Sequence, residues 1–236
     1  MNGHHYQDSR EQRRLRTRQN STLKSSTQTL FISQTASALK PDGDHSSLKL
    51  SAPARSFTDI RTVEVSRTER LQFAKHFERA QGWLLLDKFA EAIGALDAIP
   101  TTFQNRTEVL MLRAHAHQSA RQWPQAETIF RLLLAVDDTE PHHWIGLAYA
   151  VRRSQSIEKA EPILEDAHRR FPDVALISYN LACYAAQLDR LKEADRLLRE
   201  AIRLDAMFHE LAQTDSDLVA FWERLKSGNF RERNNE

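Results

Sequence analysis

Ala92, Ala126, Ala160 and Ala194 stand thirty-four residues apart, each from the next. Small residues held in one phase over about a hundred positions are the mark of a stacked repeat, and a period of this size fits one helix–turn–helix unit. The third unit displays the pattern most fully. Trp144, Leu147, Ala148 and Val151 fall at intervals of three, one and three, then Ala160, Leu164 and Ala167 at four and three, and Pro172 closes the unit. The fourth unit repeats it with Ser178, Leu181, Ala182 and Ala185, then Ala194, Leu198 and Ala201, and Ala206 stands where the proline would be. Such intervals gather side chains on one face of a helix. Two short helices sharing one apolar face bury too little to fold alone, so each unit must be closed by its neighbours.

Boundary signals divide the chain accordingly. From Arg67 onward the pattern is helical, with helices expected at about 67–86 and 88–99. Thr107 is the expected N-cap of the next helix, with Glu108 at its positive end, and the helix runs to about Arg121. Trp123-Pro124 and Thr139-Glu140-Pro141 open further helices, because proline in a first turn lacks only an amide that would be unpaired anyway. Helices at about 175–188 and 191–204 complete a fourth pair. The units are therefore about 73–106, 107–140, 141–174 and 175–207, within a repeat region of 67–207. Pro162 lies past the first turn of its helix, where proline costs about 3 kcal/mol in a regular host, so distortion is expected near Glu158. After the repeats, Thr214 and Asp217 have capping-box spacing, and Leu218, Phe221, Trp222 and Leu225 form an apolar stripe. A helix over 208–228 is expected to cover the stacking face of the last pair, followed by a frayed tail at 229–236.

The run Trp144-x2-Leu147-Ala148-x2-Val151, with Ala160-x3-Leu164 and Pro172, resembles the tetratricopeptide repeat (TPR), with Ala148 at the family's usual glycine and Val151 at its usual tyrosine. The likeness covers about 73–207; its first unit keeps Trp83, Phe89, Ala92 and Leu96 but places Pro100 early. The resemblance implies an all-α, right-handed solenoid of antiparallel helix pairs, with the first helix of each pair lining a concave wall. On the third unit the inward stripe is then His142, Ile145, Tyr149 and Arg152, with Arg153 at its edge. Shifting by the period gives Glu108, Met111, His115 and Gln118 in the second unit. It gives Leu176, Tyr179, Cys183 and Ala186 in the fourth, and Ala74, Phe77, Gln81 and Leu84 in the first. Phe77, Met111, His115, His142, Ile145, Tyr149, Arg152, Arg153 and Tyr179 are accordingly the expected peptide-binding residues. Aromatic, methionine and arginine side chains are the types enriched at recognition surfaces, and arginine grips carboxylates well. Ile145 and Tyr149 stand where TPR domains that hold a chaperone's C-terminal carboxylate carry lysine and asparagine, so that particular ligand is not expected.

Composition narrows the function classes. The 236 residues carry a net charge of +1, six glycines and seven prolines, which argues against a turn-rich β fold and against a whole-molecule field for polyanions. Residues 1–66 hold ten Lys/Arg and six Asp/Glu, or +4, leaving −3 for the remainder. Their apolar residues are scattered without period, so the segment reads as a disordered tail or an over-extended start. A basic arm for acidic surfaces or nucleic acid and an Arg- and Ser-rich transit peptide are the other readings. Leu30-Phe31-Ile32 is too short for a secretory signal, and no apolar run approaches the roughly 20 residues of a membrane span. The single cysteine, Cys183, fits a reducing, cytoplasmic setting. No phosphate-binding glycine loop, metalloprotease helix or paired-cysteine spacing is present. His115 and His117 point to opposite sides of one helix, and His142-His143 are adjacent, so no metal is expected, no cofactor and no catalysis. The sequence thus indicates a non-enzymatic interaction scaffold. The alternatives are a nucleic-acid-associated protein acting through the basic arm, and a chaperone-like or self-assembling repeat protein.

Overall fold

The computed structural model describes residues 65–227, so the expectations for the N-terminal arm up to residue 64 and for the tail from 228 lie outside the described residues. Ten α-helices occur among the described residues: α1 (Arg67–Leu85), α2 (Phe89–Asp97), α3 (Thr107–Ser119), α4 (Trp123–Val136), α5 (Pro141–Ser154), α6 (Ile157–Arg170), α7 (Ala175–Gln187), α8 (Leu191–Leu204), α9 (Met207–Thr214) and α10 (Val219–Lys226). One-turn 3₁₀ segments lie at Thr101–Phe103 and Ser216–Leu218. There is no strand among the described residues.

The first eight helices make four antiparallel pairs, and each second helix also packs on the first helix of the next pair. The 34-residue alanines are what permit this. Ala92, Ala126, Ala160 and Ala194 are all buried, where a larger side chain would hold the paired helices apart. Burial of α5 is wider than a single stripe. His143, Ile145, Gly146, Leu147, Ala148, Ala150 and Val151 are all enclosed, because α5 is flanked by both α4 and α6. Trp144, expected within the buried stripe, is half-exposed; its indole N–H donates to the Asp138 carbonyl at 2.9 Å and Arg170 stacks on its face at 4.8 Å.

The ends of the helices follow the period as well. Asp87, Arg121 and Asp189 have φ of 54°, 57° and 64°. They occupy one repeat position, immediately before a second helix. At each, the following amide bonds back along the helix it leaves: Lys88 N–H to Trp83 O, Gln122 N–H to His117 O and Arg190 N–H to Ala185 O, at 2.8 to 2.9 Å. This is the left-handed C-cap that satisfies orphaned helix carbonyls. The third unit departs from it: Gln155 has φ −130°, and Ser156 caps α6 instead, accepting from the Lys159 amide. At the first helix, Ser66 and Glu69 form a reciprocal capping box. Arg106, not Thr107, is the N-cap of α3, and no side chain caps that end. Helix α6 continues unbroken through Pro162, so the distortion expected near Glu158 does not interrupt it. Pro162 and Glu158 are both exposed.

Two apolar clusters form the core. Ala80, Ala95, Leu96, Ile99, Phe103, Val109, Leu112 and Ala116 unite α1 to α3. The larger cluster runs from Leu110 to Phe221 and includes Phe208, Ala212 and Leu218. Helix α3 serves both. The single capping helix expected at 208–228 is instead two helices joined by the Ser216–Leu218 turn, broken where Asp215 leaves the helical conformation with ψ 124°. No helix among the described residues is long and apolar enough to cross a membrane.

Candidate functional site

The side chains expected on the inward stripe come from α1, α3, α5 and α7, and the C-terminal segment decides which of them meet solvent. Helix α9 packs on α8, placing the Phe208 ring 4.8 Å from that of Tyr179. The chain then turns at Asp215 and crosses α7. The Tyr179 hydroxyl donates to Asp215 Oδ2 at 2.8 Å, and Gln187 donates through Nε2 to the Asp217 carbonyl at 2.7 Å. Arg152 reaches over from α5 and donates to Asp217 Oδ2 at 2.7 Å. The segment therefore covers the inner stripe of the fourth unit as well as packing on the array's last helix. Trp222 fastens it by donating to the Ala212 carbonyl, and Arg224 pairs with Asp189.

Electrostatics within this lock are those of a closed interior. Burial pushes the Asp215 carboxyl above the ordinary range, although the Asp217 amide and the Tyr179 hydroxyl donate to it. Burial also pushes the Cys183 thiol and the Tyr179 phenol far up, so both remain protonated. For Arg152, burial works against the charge, but the hydrogen bond and charge of Asp217 outweigh it, so the guanidinium stays cationic. It also lies over the Tyr184 ring at 5.1 Å. Cys183, Asp215 and Asp217 bring donor atoms within 4.8 Å of one another, a spacing a metal ion can span. Both Asp215 oxygens already accept hydrogen bonds, Asp217 Oδ2 accepts from Arg152, and the thiol is protonated; the trio fits a structural latch better than a metal centre.

The expected binding residues thus divide. Tyr179 is fully buried beneath the latch, and Ile145 is 3% exposed and part of the main core. Arg152 keeps 18% of its side-chain exposure but is committed to Asp217. His142 is half-buried and bonded through Nδ1 to Glu140 at 2.8 Å. Phe77 stacks on Phe73 at 5.4 Å, half-buried at the edge of the first cluster. Met111 is half-buried against the main core, and His115, beside it on α3, has its pKa lowered by burial, which keeps the ring neutral. Tyr149 is half-buried, its ring edge-on to Trp123 at 5.6 Å. Arg153 is exposed and lies over the same Trp123 at 5.2 Å. Phe77, Met111, His115, His142, Tyr149 and Arg153 are the expected residues that keep a solvent-facing edge.

Trp123 and Arg121 belong with this group and were not expected there. Trp123 reads in the sequence as the apolar first residue of α4. Arg121 breaks the repeat: the same position is Asp87 in the first unit and Asp189 in the fourth. That reversal of charge at one repeat position was the available signal.

No protein-family model matches the chain, and no curated protein matches it. Solved structures do. MamA, residues 41 to the end, from Desulfovibrio magneticus RS-1 is 16% identical with a TM-score of 0.52, the match covering 68% of this chain and 97% of that one. A MamA RS-1 double mutant is 17% identical, again with a TM-score of 0.52, over 68% and 98% of the two chains. TTC0263, a thermophilic TPR protein in Thermus thermophilus, is 15% identical with a TM-score of 0.48 over 71% and 93%. At such identities the likeness to the two MamA structures is one of fold.

Proposed function

We propose that this chain, whose fold is that of a TPR solenoid, is a non-enzymatic scaffold that holds a segment of another protein against the first helices of its pairs. The observation that carries this reading is the partial exposure of Phe77, Met111 and Tyr149 on α1, α3 and α5, flanked by exposed Arg153. Half-buried aromatic and methionine side chains give a partner apolar area that is already ordered, so little rotamer entropy is lost on binding. The latch limits the site to three units, so a bound segment lies across α1, α3 and α5 and abuts Asp217. Arg152 does not contribute a free cation, being paired within the chain.

The test is affinity capture from a native extract with the full chain beside a Met111→Ala/Tyr149→Ala variant, both matched by circular dichroism. The reading expects a protein bound by the first and lost from the second. Equal capture by both, or capture that disappears on removing residues 1–64, sinks it and moves attention to the basic arm.

A further inference from the structure

Tyr149 meets Trp123 edge-on, Arg153 lies over that same Trp123, and Arg121 stands two residues before the tryptophan in the chain. Burial raises the Tyr149 phenol, Asp217 adds to that rise, and the charges of Arg153, Arg152 and Arg121 oppose it. Arg152 is matched by Asp217, whereas Arg121 and Arg153 make no ion pair with any described residue. Exposed Arg106, Arg131, Arg169, Arg170, Arg196, Arg199 and Arg224 each hold a carboxylate; what sets Arg153 apart is that its guanidinium lies over an aromatic ring instead. The Trp123 indole N–H donates to no described residue, as is also so for Trp83, whereas those of Trp144 and Trp222 donate to carbonyls. Arg121 stands in the left-handed region, which costs an ordinary L-residue about 1 kcal/mol and which Asp tolerates better. The chain thus places a cation without an ion-pair partner among the described residues at a strained position where the first and fourth units carry the easier aspartate.

Resting on the reading that the wall binds a protein segment, we propose that Arg121 and Arg153, set around the Trp123–Tyr149 ring pair, form an anion-accepting notch that takes an aspartate or glutamate side chain of that segment. The chain supplies its own precedent one residue away: Arg152 Nη1 holds the carboxylate of Asp217, carried on a turn that crosses the same wall. Arg153 next to it is pinned over Trp123, so its guanidinium is held in place before any ligand arrives. Trp123 N–H adds a neutral donor, and the rings supply an apolar floor against which a charge-assisted bond strengthens. A nucleic acid is disfavoured, since the chain from residue 67 onward carries −3 and two cations neutralise too few phosphates to offset that repulsion.

The experiment is selection of random dodecapeptides displayed on phage, with three full-length proteins as bait. These are the intact chain, the wall variant Met111→Ala/Tyr149→Ala, and the notch variant Arg121→Asp/Arg153→Gln. The notch variant installs the residues the fourth unit already carries at these positions, Asp189 and Gln187, so the fold tolerates it. The expected result is that the intact chain enriches peptides with an acidic residue beside apolar ones. Fluorescence anisotropy of the best peptide then shows about tenfold or more weaker binding to the notch variant and weakening with salt. Peptides that bind intact and notch proteins equally but fail on the wall variant overturn the notch and leave the wall standing. Peptides enriched equally by all three proteins, or by none, overturn both.

Discussion

Gly146 is buried in α5 with the Phe130 ring against its α-carbon, and a β-carbon built there would lie 2.1 to 2.7 Å from ring atoms. Phe130 is 1% exposed in the main core and has nowhere to turn. Gly146→Ala is therefore expected to cost about 1–3 kcal/mol despite the better helix propensity of alanine, read as a lower urea midpoint. The sequence misdirects here: Ala148 occupies the family's glycine position, while the glycine the packing needs stands two residues earlier. Tyr179 gives a second residue-scale prediction. Its hydroxyl lowers the pKa of Asp215, against a burial that raises it. Tyr179→Phe leaves the buried carboxylate short of a donor and is expected to cost about 1–3 kcal/mol at neutral pH. The sign with pH follows from linkage. The folded-state pKa of Asp215 already lies above its unfolded value, and the variant raises it further. Below the unfolded pKa both states are protonated and no penalty arises; the penalty grows as pH climbs through the folded pKa. Stability curves of wild type and variant should converge on acidification and separate toward neutrality. A gap that widens in acid would contradict the assignment.

At the scale of helices, the period carried most of what is found. Pro124 and Pro141 mark the first turns of α4 and α5, and the alanine phase places every pair. Three features escaped it. Arg106 rather than Thr107 precedes α3, because backbone geometry and not side-chain capping sets that end. The left-handed series Asp87, Arg121, Asp189 was invisible because none is glycine or asparagine, the residues that advertise this conformation. The path of Asp215 to Leu218 across α7 was also hidden, since pairing of Arg152 with Asp217 joins residues sixty-five apart outside the period. Arg121→Gly tests the second of these: relief of the positive φ is expected to raise stability by about 0.5–1 kcal/mol in thermal or urea unfolding. The same change should weaken the acidic peptide, so stability and binding move in opposite directions.

Over the whole molecule, burial is graded along the array. Of the nineteen residues of α1 only Ala80 is fully buried, whereas α7 buries ten of thirteen. The first cluster is small and joined to the larger one through α3. Repeat arrays open by units according to local burial. Hydrogen exchange followed by mass spectrometry should therefore find amides of α1 and α2 exchanging well before those of α5 to α8, and uniform exchange would contradict the two-cluster core. The fold was legible because stacking imposes a period on sequence. The closure of one end of the array was not, because it depends on single long-range contacts.

That closure gives the stack a direction of growth. Asp217 meets Arg152 because one helix pair separates them. A further pair inserted after Leu204 would carry Asp217 out of reach of Arg152, and the new last pair would need its own tyrosine and arginine to receive the latch. A pair added ahead of α1 leaves every one of these contacts in place. Lengthening this chain while keeping the latch intact therefore means adding pairs at its beginning, with the final unit serving as the fixed foot of the ladder.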